Sequence, residues 1–213
     1  MPLTLAIDCA MRWLNLGAAD RSAPIGAEAI NADRSQSELL PGAVENFLSR
    51  RGYALRDLGL IAVTTGPGYY TGIRVGLSYA SALAESIGIP LAPVCTLRAL
   101  AHSALQAGFT AAPVLRASGD AIYCAVYRDG GELIPPMFCP PGDLVREAVQ
   151  LTRDGSDVVV VGSDALLFRE LEISHLRIMP TSPAIGLDLA VMAADIPPAD
   201  PTSVRASYLR APG

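Results

Sequence analysis

Continuous apolar runs and helical stripes alternate along this chain and divide it into strands and helices. Residues 3–7 form an uninterrupted apolar run, which is typical of a strand buried on both faces of a sheet. Two further strands are predicted over residues 11–18 and 25–30, each after a short turn. Three strands in succession predict a meander at the start of the chain.

After the meander, the pattern switches between the helical period and short apolar runs. It predicts in order a helix, a strand, a helix, a strand and a helix, over residues 37–50, 60–65, 71–87, 91–94 and 96–107. Pro41 must either lie in the first turn of the first helix, where a proline is tolerated, or kink that helix. Gly88 is the predicted end of the second helix.

The same order then starts again. Strands are predicted over residues 113–117, 121–127, 132–138 and 158–161, and helices over residues 142–151, 164–170 and 184–194. Three strands followed by alternating helices and strands is the order of the duplicated actin-like (ribonuclease H-like, ASKHA) fold, a two-lobed α/β fold with a nucleotide cleft. We therefore predict an N-terminal actin-like lobe over residues 1–108 and a smaller C-terminal lobe over residues 109–213. The tail after Pro197 is a candidate to pack back on the first lobe.

Composition and charge narrow the classes of function. The chain has 213 residues, of which 51% are hydrophobic, so it can bury a substantial core. Its formal net charge is -5, and all sixteen basic residues are arginine. An acidic chain is not expected to grip nucleic acid by itself, because phosphate contacts need clustered basic side chains.

The expected compartment follows from the N-terminus and the cysteines. The first residues, MPLTLAIDCA, lack a basic segment and are predicted to be a strand rather than a signal peptide. No apolar run approaches the length of a membrane span, so no membrane partner is expected. Cys9, Cys95, Cys124 and Cys139 show no CxxC spacing, and buried thiols are the expectation. We predict a cytoplasmic protein.

The glycine loop, residues 64–76 (TTGPGYYTGIRVG), is the first candidate site. A strand-to-helix turn of this kind presents backbone N–H groups that could hold an anion or a nucleotide, with Asp8, Gly66, Gly68 and Thr71 as the candidate contacts. In the alternative, Gly66 and Gly68 only make the turn, and Gly72 and Gly76 let another helix pack closely. The loop has neither the Walker A pattern nor the GxGxxG order.

Other residues with chemical potential give weaker signals. Asp8 ends the first strand, where actin-like enzymes carry a metal- and phosphate-handling Asp, but a hydrogen bond to turn N–H groups is the favoured alternative. His102 and His175 are the only histidines, and neither has the spacing of a zinc site. A Cys95–His102 nucleophile pair is weighed against an inert thiol at Cys95. Tyr69 and Tyr70 could stack a base or pack under the loop.

Two amphipathic helices form a candidate interaction surface. If the helices over residues 37–50 and 71–87 lie on one side of the first lobe, their apolar stripes would make half of a four-helix contact. The alternative is that both stripes face their own sheet, and amphipathicity alone does not separate the two. The candidate interface residues are Leu40, Val44, Leu48, Ile73, Leu77, Ala80 and Ala84.

Several motifs resemble one bacterial family. They are LAID at residues 5–8, SELLP at residues 37–41 and GPGYYTGIRVGLSYASALAESIGIPLAPVCTLRALA at residues 66–101. AIYCAVY at residues 121–127 and the terminal YLR at residues 208–210 are further matches. Together they resemble the TsaB (YeaZ) family of tRNA threonylcarbamoyladenosine biosynthesis subunits. The chain departs from the family where Tyr69 and Tyr70 replace Ser and Phe, and where Ser35 and Gln36 replace His and Ser or Thr.

The resemblance implies an actin-like fold without a working active site. It implies a non-catalytic subunit that pairs with the catalytic homologue TsaD through helices of the first lobe, and that acts with the ATPase TsaE. The complex transfers a threonylcarbamoyl group to the adenosine next to the anticodon of ANN-reading tRNAs. This chain would need no cofactor of its own, with ATP at the complex interface, would meet tRNA indirectly, and could form a homodimer when alone. Two alternatives stay open: an actin-like small-molecule kinase or ATPase, and a metalloprotease-like peptidase.

Overall fold

The computed structural model describes residues 3–32, 35–153, 157–162, 177–180 and 184–209. Within them, the first half of the chain forms five strands and three helices. The strands are β1 (Leu3–Asp8), β2 (Trp13–Asp20), β3 (Ala23–Asn31), β4 (Leu58–Gly66) and β5 (Leu91–Cys95). The helices are α1 (Gln36–Ser49), α2 (Tyr70–Ile87) and α3 (Thr96–Gln106).

The second half repeats this order among the described residues. Its strands are β6 (Thr110–Arg116), β7 (Ile122–Arg128), β8 (Gly131–Cys139), β9 (Val158–Gly162) and β10 (Arg177–Pro180). Its helices are α4 (Pro141–Arg153) and α5 (Gly186–Met192). The sequence pattern did not predict β10, and the helix predicted over residues 164–170 lies outside the described residues.

The two sheets have the same topology. Strands of the first sheet run in the order β3-β2-β1-β4-β5, and those of the second in the order β8-β7-β6-β9-β10. In each, the first three strands form an antiparallel meander. The fourth strand pairs in parallel with the first, and the fifth pairs in parallel with the fourth. The duplication predicted from the sequence is therefore confirmed, and the chain has the duplicated actin-like architecture.

The apolar side chains of the first sheet face helices α1 and α2, and this fixes the face on which Asp8 lies. Leu5 and Ile7 of β1 are buried with Leu14 of β2 and Phe47 of α1, under helices α1 and α2. Because successive side chains of a strand point to opposite faces, Asp8 projects from the other face. The two helices thus cover one side of the sheet, and the carboxyl end of β1 presents its carboxylate on the other.

The chain forms two compact units whose boundary differs from the predicted one. One unit contains Met1–Ala99 and Pro183–Ser207, and the other contains Leu100–Ser182 and Tyr208–Gly213. Helix α5, which the sequence-based division places in the 109–213 lobe, packs on β1, β2 and β3 of the first sheet. Gly17 and Gly186 make this possible, because a Cβ atom at Gly17 would overlap the Gly186 carbonyl group and one at Gly186 would overlap the Leu16 carbonyl group. Sequence pattern does not show this contact, since it joins segments far apart in the chain.

The segment after α5 also belongs to the first unit. The backbones of Leu91 and Ala199 exchange two hydrogen bonds, of 3.0 and 2.7 Å, along the edge strand β5. Further on, the Ser207 N–H donates to the Thr65 carbonyl oxygen at 2.7 Å. The tail therefore covers the exposed edge of the sheet. No helix in the described part of the chain is long and apolar enough to cross a membrane.

Candidate functional site

Asp8 lies at the centre of a buried polar network that joins three strands. Its Oδ1 atom accepts hydrogen bonds from the Ala10 N–H at 3.0 Å and from the Thr64 hydroxyl at 2.7 Å. Its Oδ2 atom accepts one from Asn15 Nδ2 at 2.8 Å. The side chain has 0% of its surface exposed. The carboxylate is thus directed at its own chain, as the favoured alternative held, and not at an open phosphate site.

Burial dominates the electrostatics of this network. It raises the pKa of Asp8 above its ordinary value, while the hydrogen bonds from Asn15, Thr64 and Ala10 lower it by less. Asn15 Oδ1 is buried without a hydrogen-bond partner among the described residues. A protonated Asp8 would have an acceptor there if the Asn15 amide turned over. The neutral form of the Asp8 carboxyl group is therefore more favoured in this network than it would be at an exposed position.

The glycine loop is closed by other parts of the chain. The Tyr69 N–H, at the start of α2, donates to the Ala10 carbonyl oxygen at 2.7 Å. A Cβ atom at Gly68 would overlap that same carbonyl group. Gly66 has φ +111° and its missing side chain would meet the Ser207 carbonyl oxygen at 2.5 Å. The turn after β1 and the C-terminal tail therefore pack directly against the glycine loop.

Gly72 and Gly76 have a different role from the predicted one. They accommodate the turn after β1, and not a second helix: a Cβ atom at Gly72 would overlap the Cys9 carbonyl oxygen, and one at Gly76 would lie 3.2 Å from Cys9 Cβ. Gln36 strengthens the same turn, because its buried Nε2 donates to the Met11 carbonyl oxygen at 3.0 Å. Sequence reasoning missed the roles of both Gln36 and Asn15. A polar side chain in an apolar stretch is the signal that marks Asn15, whereas Gln36 lies among polar residues and carries no such signal.

These contacts correct the proposed anion site. Asp8, Gly66 and Gly68 are buried or covered by backbone, so the predicted set does not form an open cradle. Thr71 is the exception, because it is exposed on the first turn of α2. It lies on the outer side of that helix, in a groove described below. Asp8, Gly66 and Gly68 are covered because the turn after β1, which carries bulky Met11 instead of glycine, folds against the N-terminus of α2.

The predicted interface stripe also needs a correction. Six of its seven residues are buried inside the chain: Leu40, Val44, Leu48, Ile73, Ala80 and Ala84. Leu77 is half-buried and packs against the same core. The stripes of α1 and α2 therefore face their own sheet, which was the stated alternative. Leu40 also reaches the floor of a surface groove described next, but the stripe as a whole is buried inside the chain.

The outer side of the same two helices carries a groove of about 440 Å³. Leu40 and Val75 give it an apolar floor, and Ser37, Thr71 and Ser78 line it with hydroxyl groups. Exposed polar residues and small side chains therefore make up the surface that α1 and α2 present outward.

Tyr70 and Arg74 stand at one end of this groove. Arg74 Nη1 donates to the Tyr70 hydroxyl oxygen at 3.2 Å, and the guanidinium carbon lies 5.3 Å from the centre of the Tyr70 ring. Tyr70 is 40% exposed and its neighbour Tyr69 is 55% exposed. Neither ring is packed under the glycine loop. Tyr79 lines the groove as well, and burial together with the Glu45 carboxylate raises its pKa.

The cysteines and histidines are the remaining candidates. Cys95 is half-buried at the end of β5, whereas Cys9, Cys124 and Cys139 are buried as expected. His102 is half-buried on α3, and His175 lies outside the described residues. Among the residues that the structure describes, no three His, Cys, Asp or Glu side chains converge as metal ligands.

The fold and the closed end of β1 together define a class: an actin-like α/β protein whose first-strand carboxylate is enclosed. Comparison with known proteins narrows this class. A family model described as TsaD, tRNA N6-adenosine threonylcarbamoyltransferase, matches residues 29–196. The chain is 25% identical over 168 residues to the tRNA threonylcarbamoyladenosine biosynthesis protein TsaB of Bacillus subtilis. The aligned residues cover 78% of this chain and 73% of that protein.

Two solved structures from Pseudomonas aeruginosa share the fold. An uncharacterised protein with similarity to the peptidase YeaZ has a TM-score of 0.79 and 22% identity, over 99% of this chain and 100% of that one. YeaZ itself has a TM-score of 0.75 and 21% identity, over 98% and 100% of the two chains. The chain belongs to the family described as TsaD, tRNA N6-adenosine threonylcarbamoyltransferase, and the predicted resemblance to TsaB (YeaZ) is confirmed.

Proposed function

We propose that this chain is a non-catalytic subunit in the biosynthesis of threonylcarbamoyladenosine in tRNA. The observation that carries the proposal is its similarity to TsaB over 168 residues. In this proposal it pairs with a TsaD-type catalytic homologue and acts with a TsaE-type ATPase. The complex transfers the threonylcarbamoyl group to the adenosine beside the anticodon of ANN-reading tRNAs.

The enclosed Asp8 supports the non-catalytic part of this proposal. A kinase or ATPase of the actin-like class needs a carboxylate that reaches metal and phosphate, whereas all three hydrogen bonds to Asp8 come from its own chain. The turn after β1 also covers the glycine loop. We accordingly propose no cofactor for this chain alone and place ATP at the interface of the complex.

The pairing surface that we propose is the outer face of α1 and α2. It replaces the buried stripe by the exposed residues of the groove, namely Ser37, Tyr70, Thr71, Arg74 and Ser78. Leu39, which is 42% exposed on α1, adds apolar surface nearby. An aromatic residue and an arginine beside small side chains suit a protein interface, because such residues supply most of the binding energy in known interfaces.

The test is to mix the chain with the TsaD homologue of the same organism and to measure the mass by light-scattering chromatography, with and without ATP. A one-to-one complex that replaces any homodimer is the expected result. Absence of a complex under both conditions would overturn the scaffold role. A reconstituted transfer assay on an ANN-reading tRNA should then depend on this chain.

A matched pair of serine variants on α2 locates the surface. Ser78→Arg places a long charged side chain in the groove, and we expect it to weaken pairing by about tenfold or more, since overpacking costs on the order of 1–3 kcal/mol. Ser86→Arg is the control, because Ser86 is exposed on the last turns of α2 and does not line the groove. Equal effects of the two variants would place the interface elsewhere.

A further inference from the structure

Two thiols of the second unit lie side by side in its core. The sulfur atoms of Cys124 and Cys139 are 3.4 Å apart, at the distance of a thiol–thiol hydrogen bond. Cys124 has 0% and Cys139 has 4% of its surface exposed.

The strand register brings the two thiols together. β7 and β8 are antiparallel neighbours in which Cys139 is paired with Ile122 and Cys124 is paired with Met137. The two cysteines are therefore diagonal neighbours on one face of the hairpin, within reach of each other. A bulge after Cys124 shifts the register of the pair at this point.

Cys124 and Cys139 differ in how deeply they are buried. Cys124 lies in the middle of β7, inside a cluster with Val114, Leu144 and Ala148. Cys139 is the last residue of β8, and the Leu144 N–H at the start of α4 donates a hydrogen bond to it. Cys139 is thus the more exposed of the two cysteines, and the first turn of α4 contacts it.

We propose that Cys124 and Cys139 are an oxidation-sensitive dithiol, which closes to an internal disulfide by exchange with a small-molecule disulfide such as oxidised glutathione. The Cys139 thiolate attacks one sulfur of the reagent, forms a mixed disulfide and releases one thiolate. The Cys124 thiolate then attacks the Cys139 sulfur and releases the second. Two protons leave the protein, and its two sulfur atoms give two electrons to the reagent, which is reduced to two thiols.

Closure would link the middle of β7 to the end of β8, just before α4. The sulfur atoms need to approach from 3.4 Å to bonding distance, about 2.05 Å, within one hairpin. The cross-link would constrain the unfolded chain and leave the strand pairing in place, so the oxidised second unit should resist unfolding. Burial and the nearby Asp143 carboxylate raise the pKa of both thiols, so exchange should be slow near pH 7 and faster at higher pH.

The experiment equilibrates the full chain with oxidised and reduced glutathione in a series of ratios, blocks the remaining thiols with N-ethylmaleimide in denaturant, and maps the peptides. Trypsin places each cysteine on its own peptide, with Cys124 in residues 117–128 and Cys139 in residues 129–146. The expected result is one linked pair of these two peptides, with two fewer maleimide additions. Four maleimide additions at every ratio, or a link through Cys9 or Cys95, would overturn the proposal.

Variants and an unfolding measurement complete the test. Cys139→Ala should abolish the linked pair, whereas Cys9→Ala, which removes a buried thiol of the first unit, should leave it unchanged. If Cys139→Ala does not fold, the unchanged chain still decides: its oxidised form should unfold at a higher urea concentration than its reduced form. Unfolding of the oxidised form at a lower urea concentration would show that the disulfide does not fit the native hairpin.

Discussion

Gly72 lies so close to the Cys9 carbonyl oxygen that a methyl group at position 72 would overlap it. The contact joins the first turn of α2 to the turn that follows β1. Tyr69 makes the same connection through its N–H, which donates to the Ala10 carbonyl oxygen. The glycine loop therefore acts as a packing joint between two segments of the first unit.

Gly72→Ala tests this joint. The added methyl group meets backbone, which cannot move aside as a flexible side chain would, so we expect a loss of about 1–3 kcal/mol in the free energy of unfolding. Urea unfolding followed by circular dichroism measures it. Gly42→Ala is the control, because position 42 is helical with nothing within 4 Å of a new Cβ atom, and it should stabilise the chain by roughly 0.5–1 kcal/mol. Equal stability of the two variants would contradict the packing role.

Asp8→Asn is expected to change the pH dependence of stability. Since burial raises the pKa of Asp8 in the folded state, the unfolded chain loses its proton first as the pH rises through the ordinary value of 3.8. The Asp8 contribution to stability is thus fully present below that pH and is lost as the pH rises to the folded-state pKa. The Asn variant lacks this loss, so it should gain stability relative to the unchanged chain as the pH rises above about 4.

Urea unfolding at several pH values measures the difference. The Asn side chain keeps an acceptor for Ala10 and Thr64 and can donate to Asn15 Oδ1. Asp8→Leu is the contrasting variant, because it leaves three buried donors without an acceptor, each costing about 1–3 kcal/mol at every pH. A constant difference between Asp8→Asn and the unchanged chain across this range would refute a raised pKa.

Ala80→Arg and Ala82→Arg distinguish the two sides of α2. Ala80 has 0% of its surface exposed and belongs to the core, whereas Ala82 is exposed on the same helix. A buried unpaired guanidinium costs several kcal/mol, a large part of the roughly 5–15 kcal/mol that stabilises a domain, so Ala80→Arg should unfold the first unit. Ala82→Arg should fold normally, as measured by circular dichroism and thermal unfolding. If the Ala80→Arg protein folds, the assignment of this stripe to the core is wrong.

Ionisation of the Tyr79 phenol should lower the free energy of unfolding at alkaline pH. Burial, with the Glu45 carboxylate as the second cause, raises the pKa of this phenol above its ordinary value of 10.0. The unfolded chain therefore ionises first above that pH, and stability falls as the pH rises towards the folded-state pKa. Tyr79→Phe should show a smaller fall above about pH 10 in urea unfolding.

Glu45→Gln checks the cause of that shift. Removing the carboxylate should lower the pKa of Tyr79 by the smaller of its two contributions, leaving the effect of burial. Absorbance at 295 nm against pH, compared with the same titration of Tyr79→Phe, isolates the signal of this one phenol. An unchanged or higher pKa in Glu45→Gln would mean that the carboxylate does not act on the ring.

The sequence by itself determined the order and type of the helices and strands in the described regions, with the exception of β10. Continuous apolar runs predicted the parallel strands, and the helical spacing around Leu40 and Ile73 predicted α1 and α2, because local periodicity reports which side of an element is buried. Since both halves show the same order, the duplicated fold followed from pattern alone. The motifs around the glycine loop were also sufficient to indicate the TsaB family.

Only the tertiary structure decided what the apolar stripes and the glycines contact. Periodicity shows that Ala80 faces something apolar, but an own sheet and a partner helix give the same pattern, and burial settled it in favour of the sheet. Likewise, a glycine permits close approach without naming the neighbour: at Gly72 it is Cys9, and at Gly17 it is Gly186. Such contacts join segments distant in sequence, so they depend on the packed chain and not on any local pattern.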